Sequence, residues 1–491
     1  MTSQHEPEHS TELRHGVLGI NDAIAQSLAL LALALGVALA PSAAAATVGP
    51  AVPWAYIVAA VGSLCLASVI VRYTRRIAHA GSVYTYTSHG LGPESGFISG
   101  WMYAGAFALG ISFVLAISAE FLSTVLTNET SINLKWFPIY MILLVALLAL
   151  AVLDIRVSTR TQLVLAAVSA VAIIVLCLFI LFKGGDDGVN LQPFNPSLIP
   201  STHGLFLAVV LAFTAFIGFE ASAVLGEETA EPRKAIPKAI LGTVLIAAAF
   251  YIFVTWAMSL GFGVANADQW AKDPVALDTL ATRYAGHWLA VIVDLSVAGS
   301  AFVAALGGIH LTSRVLFAMG RDRALPRVFA WTHPRFRSPV AGISFCVVLT
   351  FVLGVTLGRH YGVFTYFFLM ATTGSLAILF SYILVAVAGG IYFWRERAGS
   401  STAYSVLLDV VLPLGAIVIC GYTIYKSVWP RPPAPISYSL WIAAGWLVAG
   451  IIVVAYLALT SPERVRAFGQ AMDQGEGKSE VEVEPAPQPA S

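Results

Sequence analysis

The sequence predicts an all-α integral membrane protein with twelve transmembrane helices. Three observations lead to this fold class: an apolar composition, a series of long apolar stretches and an uneven distribution of basic residues. Of the 491 residues, 58% are hydrophobic and only 11% are charged, and the mean hydropathy is +0.81. A soluble domain carries about 25% charged residues. Lipid must therefore cover much of the surface of this chain.

The apolar stretches are long enough to cross a bilayer, which takes about 20 residues each. They lie near residues 17–45, 52–72, 93–124, 136–154, 161–183, 203–226, 236–262, 287–318, 339–358, 361–391, 404–427 and 437–460.

The basic residues support a count of twelve. If the N-terminus is cytosolic, the loops and tails on the cytosolic side hold 20 of the 27 Lys and Arg residues. An excess of basic residues in short loops marks the cytosolic side of a membrane protein. Leaving out any one stretch would move every later loop to the opposite side of the membrane and destroy this asymmetry. We therefore expect a multi-pass protein of the plasma membrane with both termini in the cytosol.

Two of the twelve stretches contain residues that interrupt a helix. The first contains Gly36 and then Pro41-Ser42, and the sixth contains Gly218 followed closely by Glu220. Irregular backbone survives in a membrane only where it lines a cavity. The breaks are five spans apart, which predicts a 5+5 repeat whose second half is inverted because five is odd. Broken helices in corresponding positions of two such repeats are typical of transporter sites.

This repeat divides the chain into five parts. We expect a cytosolic tail at 1–16, a first five-helix repeat at 17–183, a second, inverted repeat at 203–391, two further helices at 404–460 and a disordered cytosolic tail at 461–491. The last part is rich in Asp, Glu, Gln, Gly and Pro, a composition that cannot bury enough apolar surface to fold.

The two breaks also predict what the site binds. A broken helix exposes free N–H groups at one end and free carbonyls at the other. The N–H end attracts a carboxylate and the carbonyl end an ammonium, so the pair suits a zwitterionic amino acid. The candidate substrate-binding residues are Leu35, Gly36 and Val37, whose amides would hold the carboxylate, and Phe213, Thr214, Phe216, Ile217 and Gly218, whose carbonyls and side chains would surround the ammonium.

Two alternatives stay open for the first break. Gly36 can be a glycine that allows close helix packing, which is common in membranes. The chain can also unwind at Pro41 rather than at Gly36.

Four motifs then resemble the amino acid–polyamine–organocation (APC) permease superfamily, in the same order along the chain. They are AGSVYTY at 80–86, GFISGW at 96–101, FIGFEASAVLGEETAEPRKAIPKAI at 216–240 and SRVLFAMGRDRALP at 313–326. The resemblance spans about residues 15–400 and rests on the motifs occurring together. It implies the LeuT-like inverted 5+5 fold, alternating access and a small solute that contains an amine.

Two residues depart from the pattern of that superfamily. Leu35 stands within its usual Gly-Ser-Gly and makes the expected pocket more apolar. Ser169 aligns with a lysine that several proton-coupled members carry in the fifth span, so a fixed internal charge is missing. The coupling ion is therefore open between H+ carried elsewhere, Na+ in place of the lysine, and exchange without an ion. No metal site or organic cofactor is expected.

Coupling and gating residues are predicted around the sixth span. Glu220 is a carboxylate inside a membrane span, where ionisable groups are functional by default, and it is the candidate proton site; a structural carboxylate is the alternative. Glu228 and Arg321 are the candidate gate residues, because Glu227 and Glu228 end the sixth span and Arg321 ends the eighth. We expect ion pairs between these segments to hold the cytosolic gate shut, with a solvated charge cluster as the alternative.

Other functions fit the sequence less well. It contains no HExxH or GxSxG motif, so we do not expect an enzyme. Its short tails disfavour a sensor, and its net charge of zero suggests no nucleic-acid partner. The expected partners are the lipid bilayer and a small amino acid or amine. A polyamine would require more than one inward carboxylate, so an amino acid leads and a permease or exchanger of polyamines or other organic amines is the alternative. The oligomeric state is not predicted.

Overall fold

The computed structural model describes residues 13, 15–130, 132–153, 155–273, 275–396 and 405–460, with the side chains of 155–157 left out. The predicted tail at 461–491 and nearly all of the tail at 1–16 lie outside these residues.

The described residues fold into α-helices joined by loops and short 3-10 or π helices. The helices are α1 Ile20–Leu31, α2 Leu33–Ala38, α3 Ala40–Val48, α4 Val52–Thr74, α5 Val83–Leu91, α6 Pro93–Thr130, α7 Trp136–Val152, α8 Ile155–Phe182, α9 Thr202–Thr214, α10 Pro232–Phe262, α11 Ala267–Lys272, α12 Ala276–Tyr284, α13 His287–Arg321, α14 Val340–Leu353, α15 Arg359–Tyr361, α16 Val363–Glu396, α17 Leu412–Val428 and α18 Ser439–Thr460.

Most of these helices suit a membrane. Among the described residues, ten helical segments are long and apolar enough to cross a bilayer. The shorter apolar helices α7 and α9 fall in the predicted fourth and sixth stretches, and Ala40–Thr74 joins the end of the first stretch to the second. The all-helical, multi-pass architecture is confirmed; the count of twelve spans and the inverted repeat stay predictions.

The centre of the bundle is formed by α6 and α13, which pack along each other. α16 packs on α6, α8 packs on α13, and α1 and α2 lie against α13 as well. α18 is peripheral, with apolar side chains such as Trp441 and Tyr456 largely exposed. The interrupted helices are thus held between long, continuous ones.

Both predicted broken segments are interrupted in the structure. α1 ends at Leu31 because Ala32 has left-handed backbone angles (φ 49°, ψ 59°), and a second irregularity at Leu39 separates α2 from α3. α9 ends at Thr214, and Gly218 has a φ of +103° before a short 3-10 helix at Ala221–Leu225.

The segments that flank the two broken helices pair with each other on one side of the bundle. Leu18, just before α1, forms an isolated parallel bridge with Thr229, which follows the 3-10 helix. The N–H of Leu18 donates to the carbonyl of Glu228 (2.9 Å), and the N–H of Ala230 donates to the carbonyl of Leu18 (2.8 Å). We call this end of the bundle the α1-start side.

Candidate functional site

A cavity of about 310 Å³ lies between the two interrupted helices. Its walls come from the α1–α3 segment, α6, α9 and the break after it, α13 and α16, with Ser427 from α17. Of the predicted substrate-binding residues, Leu35, Gly36, Thr214 and Ile217 line this cavity. The volume falls within the range of small-molecule sites.

The cavity is apolar. None of its lining residues is Asp, Glu, Lys, Arg or His, and most are Leu, Ile, Val, Ala, Gly or Phe. The hydroxyl of Thr214 donates to the carbonyl of Leu211 (2.7 Å), and that of Thr372 donates to the carbonyl of Phe368 (2.8 Å), so both are already engaged within their helices. An apolar side chain is therefore the group that these walls would accommodate best, because burying an unpaired charge is costly.

The cavity extends away from the α1-start side. Its wall includes Ala43 in α3, Val114 in the second half of α6, Phe367 in the first turns of α16 and Ser427 at the end of α17. These positions all lie toward the opposite face of the bundle. The cavity thus lies nearer to that face than to the α1-start side.

The first stretch is interrupted at Ala32 and again at Leu39 rather than at Gly36, and the second interruption lies two residues before Pro41. The N–H of Gly36 donates to the carbonyl of Ala32 (2.8 Å), so it is not available to a carboxylate in this conformation. Val37 lies further along α2 and is fully buried. Leu35 lies in the first turn of α2, where a backbone N–H group has no carbonyl four residues earlier within the same helix. Pro41 lies in the first turn of α3, where proline is tolerated.

The carbonyls of the second break are partly engaged. Those of Phe213, Thr214 and Phe216 accept from the N–H groups of residues 216, 217 and 219 at 3.0, 3.2 and 3.3 Å. Each carbonyl oxygen keeps a second lone pair. Phe213 and Phe216 are buried and do not border the cavity, and the backbone of Gly218 approaches Leu30 so closely that a Cβ there would lie 2.9 Å from its side chain.

A tyrosine that the sequence did not single out connects the two breaks. The hydroxyl of Tyr251, in α10, lies 3.0 Å from the carbonyl oxygen of Ala215 and 3.3 Å from that of Leu31. A Cβ on Gly36 would lie 2.9 Å from the same hydroxyl. Gly36 is therefore a close-approach glycine, the alternative that stayed open, and Tyr251 is the neighbour that requires it. Its only sequence signal is a tyrosine within an apolar span, which is too common to be specific.

Glu220 is fully buried behind the break rather than in the cavity wall. Its Oε1 accepts a hydrogen bond from the hydroxyl of Tyr103 (2.7 Å), and the Tyr382 hydroxyl lies beside the carboxyl. Among the described residues, its Oε2 has no hydrogen-bond partner of normal geometry. Coupling through Glu220 stays a prediction. Ser169 is buried in α8 against Gly299 of α13, again outside the cavity wall, and its coupling role is equally open.

The gate residues form ion pairs, but not with each other. Glu228 pairs with Arg314, whose Nε and Nη2 lie 2.5 and 3.0 Å from its carboxylate oxygens, and both side chains are 3% exposed. Arg321 instead pairs with Glu227, with both contacts at 2.7 Å. Ion pairs thus join the two segments, but the partner of Glu228 is Arg314, about two helical turns before Arg321, and not Arg321 itself. The gating role itself stays a prediction.

A bundle of membrane-crossing helices with two interrupted helices around a central cavity is typical of transporters of small solutes. The chain belongs to the amino acid permease family of the APC superfamily, whose family model matches residues 22–455.

Three relatives illustrate the range of this family. The chain is 26% identical to the branched-chain amino acid permease BcaP of Bacillus subtilis over 426 residues, covering 82% of this chain and 86% of that protein. It is 26% identical to the low-affinity putrescine importer PlaP of Escherichia coli over 420 residues, covering 82% and 85%. It is 29% identical to human cationic amino acid transporter 4 over 329 residues, covering 63% and 50%.

Proposed function

We propose that the protein is a secondary active transporter that carries a neutral, apolar amino acid across the plasma membrane by alternating access. In this proposal twelve spans form an inverted 5+5 repeat with two additional helices, and both termini are cytosolic, so the α1-start side faces the cytosol. The α-amino and α-carboxyl groups bind at the two breaks, and the side chain occupies the apolar cavity.

The observation that carries this proposal is the absence of ionisable residues from the cavity wall. An amino acid zwitterion can be held by backbone amides and carbonyls at the breaks, so it needs no charged side chain. The relation to a branched-chain amino acid permease agrees with the apolar wall.

The second candidate is an organic-amine permease, which the relation to a putrescine importer raises. A diamine has two positive charges and no carboxylate. The cavity wall offers it no carboxylate, and Glu220 lies behind the break. We therefore expect diamines to bind weakly, if at all.

The test is a binding and uptake panel with purified protein. Thermal stabilisation in detergent and uptake into proteoliposomes are measured for leucine, isoleucine, valine, alanine, arginine and putrescine, at pH 5.5 and 7.5, with and without Na+. Leucine, isoleucine or valine should stabilise the protein and be taken up, and the ion conditions identify the coupling ion. Stabilisation by putrescine or arginine alone would refute the proposed substrate class.

A matched pair of variants locates the site. Gly110 lines the cavity, and a Cβ there would meet only the Phe113 ring at 4.0 Å; Gly445 in the peripheral α18 has no neighbour within 4 Å of such a Cβ. Gly110→Val fills the space meant for the substrate side chain, and overpacking of about 1–3 kcal/mol corresponds to a roughly 5–150-fold weaker Kd. Gly445→Val should leave the Kd unchanged. Equal effects of the two variants would show that the cavity is not the substrate site.

A further inference from the structure

A cluster of ionisable side chains closes the α1-start side of the bundle. It consists of His79 from the connection between α4 and α5, Glu227 after the second break, and Arg321 and Asp322 at the end of α13. We call these four residues the acid–histidine cluster. Leu13, Ala80, Phe317 and Ala318 form a small apolar group beside it.

Within the cluster, Glu227 and Arg321 neutralise each other. Arg321 donates to both carboxylate oxygens of Glu227 at 2.7 Å, and the N–H of Ala80 donates to Oε1 at 3.0 Å. Burial alone would raise the pKa of Glu227, but the hydrogen bonds and the charge of Arg321 lower that pKa to about 2. Glu227 is therefore ionised at any physiological pH.

Asp322 is left without a full counter-charge. Its side chain is 5% exposed, its Oδ1 lies 3.9 Å from Arg321 Nε, and its Oδ2 lies 4.0 Å from His79 Nε2. Among the described residues, Oδ2 has no hydrogen-bond partner of normal geometry, although the Tyr84 hydroxyl lies beside the carboxyl. Burial raises the pKa of Asp322, against the opposing influence of His79 and Arg321. With Glu227 and Asp322 both ionised, the cluster would hold two negative charges and one positive charge.

The imidazole of His79 is poorly placed to take the missing proton. The N–H of Gly81 (3.0 Å) and the hydroxyl of Thr85 (2.8 Å) both lie at Nδ1, and Arg321 Nη2 lies 2.7 Å from Nε2. A neutral imidazole whose proton is on Nδ1, facing the Thr85 hydroxyl oxygen, keeps a lone pair on Nε2 for Arg321, whereas a protonated imidazole has none. Burial also lowers the pKa of His79, although the carboxylates of Asp322 and Glu227 oppose this. The geometry thus favours a neutral His79.

The other groups near the cluster do not supply a balancing charge. Burial keeps the pKa of the Tyr84 hydroxyl well above its usual value, so Tyr84 is neutral, and Nδ1 of His89 donates to the carbonyl of Thr85 (2.8 Å). The ring of His15 contacts the carbonyl of Glu227 (3.2 Å) from the exposed side. Arg323, next along the chain, is exposed to solvent.

We propose that the carboxyl of Asp322 is a proton-binding site, which takes up one proton when the α1-start side closes and releases it when that side opens. The three chain segments that enclose Asp322 must separate for opening, and water would then solvate its carboxylate. Lower pH therefore favours the closed arrangement, and opening becomes sensitive to the pH of the compartment on that side. That opening is a step of a transport cycle rests on the proposed alternating access, but proton uptake by Asp322 on closing does not.

The experiment measures opening without any transported solute. Ser222 is fully buried between the cavity and the closed side, and its Oγ has no hydrogen-bond partner among the described residues, so Ser222→Cys is a mild reporter substitution. Its labelling by a membrane-impermeant maleimide is followed from pH 5.5 to 8.5 in nanodiscs. Each rate is divided by that of the unfolded protein at the same pH, and the protein without the reporter gives the background from native cysteines.

The normalised rate should rise with pH by up to about tenfold per unit across the transition. Asp322→Asn should be slow and independent of pH, whereas His79→Gln should keep a pH dependence. Glu231→Gln, an exposed carboxylate in the same segment as Glu227, is the matched control and should reproduce the parent curve. A flat parent curve would overturn the proposal, as would a pH dependence that survives in Asp322→Asn or disappears in His79→Gln.

Tyr84→Phe supplies a second variant if Asp322→Asn does not fold. The Tyr84 hydroxyl favours the ionised carboxyl of Asp322, so removing it should move the midpoint to higher pH. An unchanged midpoint would contradict the assignment to Asp322. All these readouts remain valid even if the protein carries none of the amino acids in the uptake panel.

Discussion

Gly36→Ala places a methyl group against the tyrosine that connects the two breaks. The new Cβ would lie 2.9 Å from the Tyr251 hydroxyl oxygen and 3.3 Å from two carbons of its ring. Tyr251 is fully buried and packs against Tyr56 and Phe216, with ring centroids 5.5 and 5.2 Å away, so it cannot easily retreat. Overpacking of this kind costs about 1–3 kcal/mol.

Tyr251→Phe removes the hydroxyl and should destabilise the protein for a different reason. A phenol has one hydrogen, which the carbonyls of Leu31 and Ala215 share, and both carbonyls lose that donor. A buried acceptor left unsatisfied costs about 1–3 kcal/mol. Because the hydroxyl is also the atom nearest to the new methyl group, the double variant should be more stable than the sum of the two single effects predicts, by about 1 kcal/mol.

The assay is unfolding in mixed micelles with increasing SDS, followed by tryptophan fluorescence, for the parent, both single variants and the double variant. Gly242→Ala in α10 is the control, because a Cβ there meets nothing within 4 Å and alanine favours the helix. Strictly additive effects would refute the reasoning, since they would show that Gly36 and Tyr251 do not constrain each other. A destabilising Gly242→Ala would show that any methyl group is harmful in this bundle.

Three further outcomes follow from contacts described above. Glu228→Gln leaves Arg314 buried without its charged partner and should lower the free energy of unfolding by about 3–5 kcal/mol in the same assay. The stability lost in Glu228→Arg should be partly restored by Arg314→Glu but not by Arg321→Glu. Restoration by Arg321→Glu alone would contradict the observed pairing. Gly218→Ala should lower the free energy of unfolding by about 1–3 kcal/mol, because the φ of +103° disfavours a side chain and the new Cβ would contact Leu30. An unchanged stability would mean that the folded protein does not keep this turn. The pKa of Glu227 is about 2, below its value in the unfolded chain, so its stabilising contribution is complete above about pH 5 and disappears as the pH falls through about 2. An unfolding series between pH 6 and 3 should show a smaller loss of stability in Glu227→Gln than in the parent, and parallel losses would contradict this assignment.

The break in the sixth stretch could be located from the sequence because a glycine signals it. Gly218 adopts a positive φ, which glycine tolerates, and Thr214 and Ile217 near it line the cavity. The first break could not be located in this way. Ala32 adopts left-handed angles that are unfavourable for alanine, so the surrounding structure must impose them, and no local residue type indicates this.

The partners of the charged residues were the least predictable part. Sequence placed Glu227, Glu228 and Arg321 at the same end of the bundle, which the structure confirms. Which arginine pairs with which glutamate depends on the rotation and depth of α13 in the bundle. Arg314 and Arg321 lie about two helical turns apart on this helix, so the sequence alone could not choose between them. No sequence pattern singles out His79, because it lies in a short connection and its neighbours come from chain segments almost 150 and more than 240 residues away.

The bridge between Leu18 and Thr229 has a mechanical consequence. Two backbone hydrogen bonds join the residues that enter the first broken helix to the residues that leave the second. Such bonds contribute about 1 kcal/mol each, so moving the two bridged segments apart costs more free energy than moving them together. We therefore expect the first half of one broken helix and the last half of the other to move together, because moving them apart would break both hydrogen bonds.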